Sequence, residues 1–516
     1  MRASSSALSS NALVIGSALV ATGVTLLSLK VFRTRQWRSK RRQQVVGVEE
    51  DDVEEVAALS ILQWILAKNQ FDGTDQTVCC VILESGSCPS EEQVQKTVSL
   101  LKKRHSPLRA VLAAKEENQE VVLVVPKSAS SSGMVDVSRN KNWRDEVHEQ
   151  LNCLQFPRPT SSLPTIPLWK VVLVDNTDAG HDEHGDSAIV FALNHVQFDG
   201  TSRNRFLGAF FDALGEVSDG AINDHEPVPY NLQTLTRETP SMAWSTFFVA
   251  LRRHVHDSIR LRHKTFEFPL EDAPGIKDPQ IIPETKWITS LLSQEETTRI
   301  IQQSKQEGTT VHGAVSAALY RALDLIAREK TGNQTDDYSF SMMHMISLWG
   351  TIKEFIPAEA VAGCFIGVKG VRMTTTAQPQ NMWDMARGIK AQLQGYLPWN
   401  LKHYVVYMLV MKFLKTTYMV SPAPPAFKRL RCERFNYGVS NNGLQFYGNY
   451  SKGVIKHVFN NVTRHSAPDC MGELNLCTVH GSMNLTFAYY THIWSEQTAL
   501  AFVNHFKQQL LQMCGL

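Results

Sequence analysis

Short apolar runs recur along the first half of the chain and predict a set of buried strands. They are rich in β-branched residues and are bounded by polar or turn-forming segments, which is typical of strands. The predicted strands cover residues 77–83 (TVCCVIL), 108–112, 121–125, 168–174 (LWKVVLV) and 188–193 (AIVFAL). A polar loop separates the last two, so we expect them to be neighbours in one sheet.

Helix start signals alternate with these strands. Ser90 precedes acidic residues and then apolar residues at helical spacing, and Ser293 opens a second helix in the same way. Gly308 breaks the helix that follows Ser293, and another amphipathic helix comes after it. Residues 483–489 alternate between apolar and polar side chains as a strand does, and a closing helix is predicted from about Ser495.

Strands and helices mix in both halves, so the predicted fold class is α/β, in a mixed α+β arrangement with two lobes. We expect a membrane anchor with a basic flank at residues 1–48 and a first lobe at 49–225. Residues 226–284 are rich in proline and have no clear period, which is typical of a crossover linker. The second lobe is then predicted at 285–516.

The first 48 residues carry no acidic side chain, and residues 12–29 (ALVIGSALVATGVTLLSL) are long and apolar enough for a helix that spans a membrane. Lysine and arginine side chains follow this run, whereas Arg2 alone precedes it, so the positive-inside rule places the body in the cytosol. We expect a single-pass protein anchored in the membrane of the endoplasmic reticulum. A mitochondrial presequence, which is also serine-rich and acid-free, is the alternative.

Composition excludes several kinds of partner. The formal net charge is +2 over 516 residues, so no basic field points to nucleic acid. Nine cysteines without a Cys-x-x-Cys spacing argue against a disulfide framework and a zinc site, and they fit a reducing compartment. Residues 181–186 (HDEHGD) include metal-ligand types, but a solvated hairpin tip also needs polar residues, so we expect no metal.

Residues 194–200 (NHVQFDG) place a histidine directly after a predicted buried strand and before a helix predicted at about 201–214. Side chains at such a point project from a rigid scaffold into a cleft. An imidazole can take a proton from a hydroxyl at neutral pH, so His195 is a candidate general base. Gly200 favours a tight turn, and Asp199 can hold the loop through a backbone donor or a cation. The pattern by itself also fits a structural histidine.

The same seven residues resemble the His-x-x-x-Asp-Gly motif of the CoA-dependent acyltransferase superfamily. That superfamily includes chloramphenicol acetyltransferase-like enzymes, peptide-synthetase condensation domains, wax ester synthases and alcohol acetyltransferases. Further segments resemble stretches of these proteins in the same order: 104–110 (RHSPLRA), 167–174 (PLWKVVLV), 308–323 (GTTVHGAVSAALYRAL), 381–393 (NMWDMARGIKAQL) and 439–443 (VSNNG). The last two are similar to the alcohol acetyltransferase branch.

This resemblance implies two chloramphenicol acetyltransferase-like lobes around a central channel, with His195 in mid-channel as the general base. His195 would deprotonate an alcohol or amine that attacks an acyl thioester, so acyl-CoA is a co-substrate and no bound cofactor is expected. Ser440 and Asn441 match the family's Ser-Asn-x-Gly segment and are candidates for stabilising the oxyanion. Ser-Asn-Asn-Gly is also strong turn chemistry, which is the alternative for both residues.

Two positions depart from the family pattern. Asn194 stands where many members carry a second histidine, although branches with a single histidine exist, and we keep Asn194 as a substrate-binding candidate. In ISLWG (346–350), Trp349 stands where the family often has an arginine that pairs with the motif aspartate. We therefore expect Asp199 to need another cation.

The leading hypothesis is a membrane-anchored enzyme that transfers an acyl group from acyl-CoA to an alcohol. The second is a carrier-protein-dependent condensation domain or an N-acyltransferase. The third is a catalytically inactive relative that binds a lipid or a protein between its lobes. His195 and Asp199 favour an enzyme, whereas the missing arginine favours the inactive relative.

Overall fold

The computed structural model describes most of the chain after residue 52. The described ranges are 53–59, 76–114, 120–127, 134–139, 141–153, 156–160, 165–176, 186–221, 283–352, 356–376, 380–394, 436–445, 453–463 and 470–516, with single residues or pairs of residues between some of them. The predicted anchor, residues 181–185 of the polar loop and most of the crossover linker lie outside the described residues. Across these described ranges, no helix has both the length and the apolar character that a membrane span requires.

The elements before the crossover include both strands and helices. In chain order they are β1 (Val53–Ala58), β2 (Gln76–Leu83), α1 (Glu91–Arg104), β3 (Val111–Ala114), β4 (Val121–Pro126), β5 (Val135–Arg139), α2 (Trp143–Asn152), β6 (Thr165–Pro167), β7 (Trp169–Asp175), β8 (Ala188–Asn194) and α3 (Gly200–Ser218).

The elements after the crossover follow the same mixed pattern. They are β9 (Thr285–Leu292), α4 (Gln294–Gln306), α5 (Val311–Thr331), β10 (Tyr338–Ser347), α6 (Trp349–Ile352), β11 (Ile366–Thr375), α7 (Met382–Gln394), β12 (Tyr437–Gln445), β13 (Ile455–Val462), β14 (Gly472–Val479), β15 (Ser482–Tyr490) and α8 (Glu496–Met513).

The first lobe is built on a five-stranded sheet in the order β13-β2-β8-β7-β5, beside a four-stranded sheet in the order β1-β4-β3-β6. Strands β2 and β8 are buried along their whole length because apolar side chains cover both faces of the larger sheet. On one face, Phe206 and Phe210 of α3 pack edge-on against Phe191 of β8. On the other face, Trp143 of α2 stacks on Phe459 of β13. The buried sheet fixes where β8 ends and α3 begins.

The second lobe is built on a six-stranded mixed sheet in the order β11-β10-β12-β14-β15-β9. Helices α5 and α8 bury their apolar faces in the core on one side of this sheet, together with side chains of α4 and α7. In β14, Leu474 and Leu476 join that core, whereas Cys477 and Val479 join the core of the first lobe. The opposite face of the second sheet therefore faces the first lobe.

Strand β13 comes from the second half of the chain but completes the sheet of the first lobe. It pairs antiparallel with β2, from Val462 opposite Thr77 to Ile455 opposite Leu83. A single boundary at residue 285 therefore does not divide the molecule, since 455–462 belong to the sheet built mainly by 49–225. Strand β9 does begin the second sheet at Thr285.

Most predicted elements form where the sequence places them, and one differs. Ser90 and Ser293 cap α1 and α4, each through a capping box. The strand predicted at 108–112 is instead a 3₁₀ turn at Ser106–Arg109 followed by β3, because Pro107 has no N–H for a strand ladder but suits a first helical turn. The strand predicted at 483–489 is β15, buried on both of its faces.

None of the eight cysteines that the structure describes forms a disulfide. Two of the Asn-x-Ser/Thr tripeptides begin at Asn461 and Asn484, and both of these side chains are buried. Neither asparagine is accessible for glycan attachment in the folded protein. No group of three or more His, Cys, Asp or Glu side chains suited to a metal ion is found among the described residues.

Candidate active site

The motif loop, defined here as residues 194–199, connects β8 to α3. The Oδ1 of Asn194 accepts a hydrogen bond from the backbone N–H of Val196 at 2.9 Å, which starts the turn. The backbone carbonyl of Asn194 also accepts hydrogen bonds from the N–H groups of Gln197 and Phe198. The Nδ2 of Asn194 is buried and has no hydrogen-bond partner in the part of the chain that the structure describes. Asn194 therefore shapes the loop, and its amide nitrogen is the atom left to contact a ligand.

His195 lies within the motif loop and is 8% exposed. Its Nδ1 lies 3.8 Å from the Sγ of Cys364, which is within the range of a hydrogen bond to sulfur. A hydrogen on Nδ1 would point at this sulfur and would leave Nε2 as the ring atom that accepts a proton. The contact with Cys364 therefore orients the ring in a way that suits a general base.

Asp199 is the N-cap of α3 and is 3% exposed. Its Oδ1 accepts hydrogen bonds from the backbone N–H groups of Thr201 and Ser202 at 2.9 and 2.8 Å. Its Oδ2 accepts a hydrogen bond from the backbone N–H of Phe365 at 2.7 Å. The carboxylate therefore anchors the start of α3 and faces the second lobe. None of its hydrogen bonds within the described part of the chain involves His195.

Trp349 occupies the place of the expected cation beside Asp199. The indole Nε1 donates to both carboxylate oxygens, at 3.0 Å to Oδ1 and 2.8 Å to Oδ2. The expectation that Asp199 needs another cation is wrong, since uncharged N–H donors satisfy the carboxylate. A cation does lie behind the indole: the guanidinium carbon of Arg205 is 4.5 Å from the centre of the Trp349 ring, which is a cation–π contact.

The second lobe contacts the motif loop through three successive residues. Gly363 N donates to the carbonyl of Gln197 at 2.6 Å, Cys364 contacts His195, and Phe365 N donates to Asp199. Gly363 has a φ of +147°, and a Cβ there would lie 2.6 Å from Cε2 of Phe365, so only glycine fits. The orientation of the motif loop is thus set by both lobes together.

Gly200 is the first residue of α3, and its φ lies outside the left-handed region, so a tight turn is not the reason for glycine here. A Cβ on Gly200 would collide with the Oδ1 of Asn442, which belongs to β12. The absence of a side chain at Gly200 therefore lets the Ser-Asn-Asn-Gly strand approach the first turn of α3.

Ser440 and Asn441 both lie in β12, opposite Asn475 and Leu476 of β14. The Oδ1 of Asn441 accepts a hydrogen bond from the backbone N–H of Gly443 at 2.8 Å, where the ladder to β14 shifts register. The side chain of Asn441 therefore makes a hydrogen bond typical of a turn, although the residue lies in a strand. Ser440 is half-buried and makes no side-chain hydrogen bond with the described residues. Its hydroxyl remains a candidate donor to an oxyanion.

The RHSPLRA segment supports the motif loop from the first lobe. The Nε2 of Gln197 donates to the backbone carbonyl of Pro107. On the other side, the Nε2 of Gln63 donates to the carbonyl of Val196 at 3.1 Å. No sequence pattern marks Gln63, Gln197, Asn442 or residues 363–365 individually, because their roles come from contacts between segments far apart in the chain.

Residues 140–242, which include the motif loop, match the model of the alcohol acetyltransferase family. No curated protein matches the chain. The fold is similar to the TRI3 trichothecene 15-O-acetyltransferase of Fusarium sporotrichioides, with a TM-score of 0.61, 12% identity, and coverage of 91% of this chain and 98% of that one.

Domains of biosynthetic synthases are similar as well. The condensation domain of the Monacolin K polyketide synthase MokA gives a TM-score of 0.60 at 14% identity, covering 90% of this chain and 98% of that one. The epimerization domain of tyrocidine synthetase B gives 0.58 at 15% identity, covering 92% and 98%. At such identities the likeness establishes the fold.

The chain therefore has the two-lobed fold shared by condensation domains and CoA-dependent acyltransferases, as the motifs predicted. Residues 140–242, around the motif loop, are similar to the alcohol acetyltransferases. The family match and the fold together confirm the prediction of an acyltransferase enzyme.

Proposed function

We propose that the protein transfers an acyl group from acyl-CoA to an alcohol and forms an ester, with His195 as the general base. The observation that carries the proposal is the setting of His195, whose buried imidazole is held on its Nδ1 side between two lobes of an acyltransferase fold. Such a ring has one nitrogen, Nε2, left to act on a substrate hydroxyl.

The proposed reaction has two steps. Nε2 of His195 takes the proton of the acceptor hydroxyl while the oxygen attacks the thioester carbon, and a tetrahedral oxyanion forms. Ser440, on the strand that approaches α3, is the candidate donor to this oxyanion. The intermediate then expels the thiolate of CoA, which receives the proton from the imidazolium. Asp199 acts indirectly, because it holds the start of α3 and the second lobe in place.

A condensation reaction with a carrier-bound acyl donor, or acyl transfer to an amine, is the second candidate. It is favoured by the similarity to condensation domains, among them one from a calcium-dependent antibiotic synthetase. The chemistry at His195 would be the same, and only the donor or acceptor would differ. An inactive relative loses its main support, since Asp199 is fully hydrogen-bonded without an arginine.

We further propose that residues 12–29 anchor the protein in the endoplasmic reticulum membrane with the catalytic body in the cytosol, and that catalysis needs no bound cofactor. Protease added to intact microsomes should then digest the body. Glycan attachment at the half-buried Asn333, or at Asn449, would instead place the body in the lumen.

The central experiment compares His195→Ala with the wild type in an assay of free thiol release from acyl-CoA. Turnover should fall by roughly two to four orders of magnitude, the usual contribution of a general base, while acyl-CoA binding persists. His505→Ala is the matched control, since His505 lies on α8 beside Glu329, away from the motif loop. If His195→Ala had the turnover of the wild type, His195 would not be the general base. If the wild type released no thiol with any donor and acceptor tested, the hypothesis of an inactive relative would be favoured.

A further inference from the structure

Arg203, in the first turn of α3, is buried at the junction of the lobes without a counter-ion among the described residues. It is 3% exposed, and within the same ranges its Nε and Nη2 have no hydrogen-bond partner. Arg328, which is also buried, instead pairs with Asp324 at 3.0 Å. A buried charge is costly unless it is paired. We therefore expect Arg203 to bind an anion, which none of the described residues supplies.

The neighbours of Arg203 are neutral. Cys79 of β2, Cys477 of β14 and Tyr447 all lie close enough for its positive charge to act on them. Burial outweighs that charge and raises the pKa of Cys79 and of Cys477 to about 12. Burial likewise holds the pKa of Tyr447 well above its ordinary value. None of these groups can balance the guanidinium at neutral pH.

The guanidinium of Arg203 points back toward the motif loop. Its Nη2 lies 3.9 Å from the position that a Cβ on Gly200 would occupy, at the N-terminal end of α3. The N-terminus of a helix favours negative charge, because its amide dipoles point outward there. An anion beside Arg203 would thus sit at the end of α3 that joins the motif loop and Asn442.

Other unpaired polar atoms lie at the same junction. The hydroxyl of Tyr447, the Nδ2 of Asn475 and the Oδ1 of Asn460 are buried, and no described group is hydrogen-bonded to them. Asn475 is two residues before Cys477 in β14 and therefore on the same face of the strand, toward the first lobe. Arg203 and Asn475 contribute N–H donors to this set, and the hydroxyl of Tyr447 can donate as well, which suits a ligand that accepts hydrogen bonds.

We propose that Arg203, with the hydroxyl of Tyr447, binds a carboxylate group of a substrate. The planar guanidinium matches a carboxylate through two parallel hydrogen bonds, and one positive charge balances one negative charge. A phosphate monoester would bury excess negative charge at the same place. The identity of the ligand as a substrate rests on the proposed function, and the carboxylate can belong either to the acyl chain or to the acceptor.

The test uses substrate pairs that differ by one carboxylate, with the full-length chain. The donor pair is butanoyl-CoA and succinyl-CoA, and the acceptor pair is hexanol and 6-hydroxyhexanoate. Arg203→Gln should lower the ratio of kcat/KM for the charged over the neutral member by roughly tenfold to a hundredfold in one of the two pairs, as expected for a lost charge-assisted hydrogen bond. The pair that responds identifies the substrate that carries the carboxylate.

Arg299→Gln is the matched control, since Arg299 on α4 contacts only the carbonyl of Cys514 among described groups. Tyr447→Phe tests the second donor with little change in packing and should lower the same ratio. Equal losses for charged and neutral partners would overturn the proposal and make Arg203 structural.

A binding measurement separates this inference from the proposed function. Hexanoate should raise the melting temperature of the wild type more than hexanol does, and Arg203→Gln or Tyr447→Phe should abolish the difference. Protection without any thiol release would support the carboxylate site and contradict the acyl-CoA reaction. Thiol release without selective protection or selective kinetics would contradict the site alone.

Discussion

Trp349 donates its indole N–H to both carboxylate oxygens of Asp199, at 3.0 and 2.8 Å, and so joins the second lobe to the first turn of α3. The ring is in turn covered by the guanidinium of Arg205. Carboxylate, indole and guanidinium therefore form a layered contact in which the cation acts through the ring. Trp349 therefore takes the place that the sequence resemblance assigns to an arginine.

Removing the indole N–H should weaken this contact. Trp349→Phe keeps the ring but leaves Asp199 with one donor fewer, so we expect the free energy of unfolding to fall by about 1–3 kcal/mol. Turnover should fall as well, because the 363–365 segment that holds His195 loses part of its anchor. Denaturant unfolding and thiol release measure the two effects.

Trp383→Phe is the control for this change, because Trp383 donates one hydrogen bond to the carbonyl of Met513, away from the motif loop. It should destabilise the protein without lowering the turnover of the folded fraction. Trp349→Arg should retain more activity than Trp349→Phe, since the arginine supplies a hydrogen-bond donor and a positive charge to Asp199. If Trp349→Phe matched the wild type in both assays, the indole would not position the motif loop.

A side chain at Gly200 should separate the lobes where Asn442 approaches α3. Gly200→Ala places a Cβ against the amide of Asn442, so we expect a loss of roughly 1–3 kcal/mol of stability and a loss of activity. The double variant Gly200→Ala, Asn442→Gly removes the clashing amide and should recover most of the stability. Additive losses in the double variant, measured by thermal unfolding, would show that the two residues do not interact.

Cys364 should act through the orientation of His195. Cys364→Ala removes the sulfur that lies 3.8 Å from Nδ1, and we expect kcat to fall roughly tenfold with little change in the KM for acyl-CoA. Cys364→Ser supplies another hydrogen-bonding atom and should recover part of the rate. Cys514→Ala, at a buried thiol beyond the end of α8, serves for comparison. A kcat that does not depend on residue 364 would leave His195 oriented by the backbone alone.

Stability should fall as the pH drops below neutral. Burial, and then the nearby Arg104, lowers the pKa of His105 to about 4, whereas the unfolded chain titrates at the ordinary value near 6.5. The unfolded state therefore binds a proton first, so this contribution is present above about pH 6.5 and is lost as the pH falls toward 4. Each such histidine adds a slope of up to about 1.4 kcal/mol per pH unit.

Urea unfolding at pH 7, 6 and 5 measures this slope. His105→Asn should make it shallower, and the remaining slope should include buried His344, whose pKa burial also lowers. Identical slopes in His105→Asn and the wild type would mean that His105 does not titrate differently on folding.

Local signals were sufficient for most of the fold. Helix starts at Ser90, Ser293 and Ser495 depend on side chains and backbone groups within four consecutive residues, so the sequence specifies them without knowledge of the tertiary structure. The buried strand β8 and the loop after it are equally local, which is why His195 and Asp199 could be singled out. The strand predicted at 108–112 shows the limit of such local signals, because Pro107 makes a helical turn as favourable as a strand there.

The rest of the site could not be read in this way. Gly363, Cys364 and Phe365 have no distinctive pattern around them, and their importance arises only when they meet residues more than a hundred positions away. The tight turn predicted at Gly200 is not the reason for glycine at this position. The space that Gly200 leaves for Asn442 matters more than its freedom of backbone conformation. In the sequence, nothing distinguishes Arg203 from an exposed arginine on a helix, and only the structure shows that it is buried.

The strand β13 has a consequence for how the protein is made. Its partner β2 is an apolar, β-rich strand whose outer edge is covered only when residues 455–462 arrive. On a ribosome adding 5–20 residues per second, roughly 370 residues separate the two strands, so the edge of β2 waits for about 20 to 70 seconds. An uncovered edge of this kind invites pairing with other chains. Nascent chains of this protein should therefore depend on chaperones until the C-terminal quarter has been synthesised.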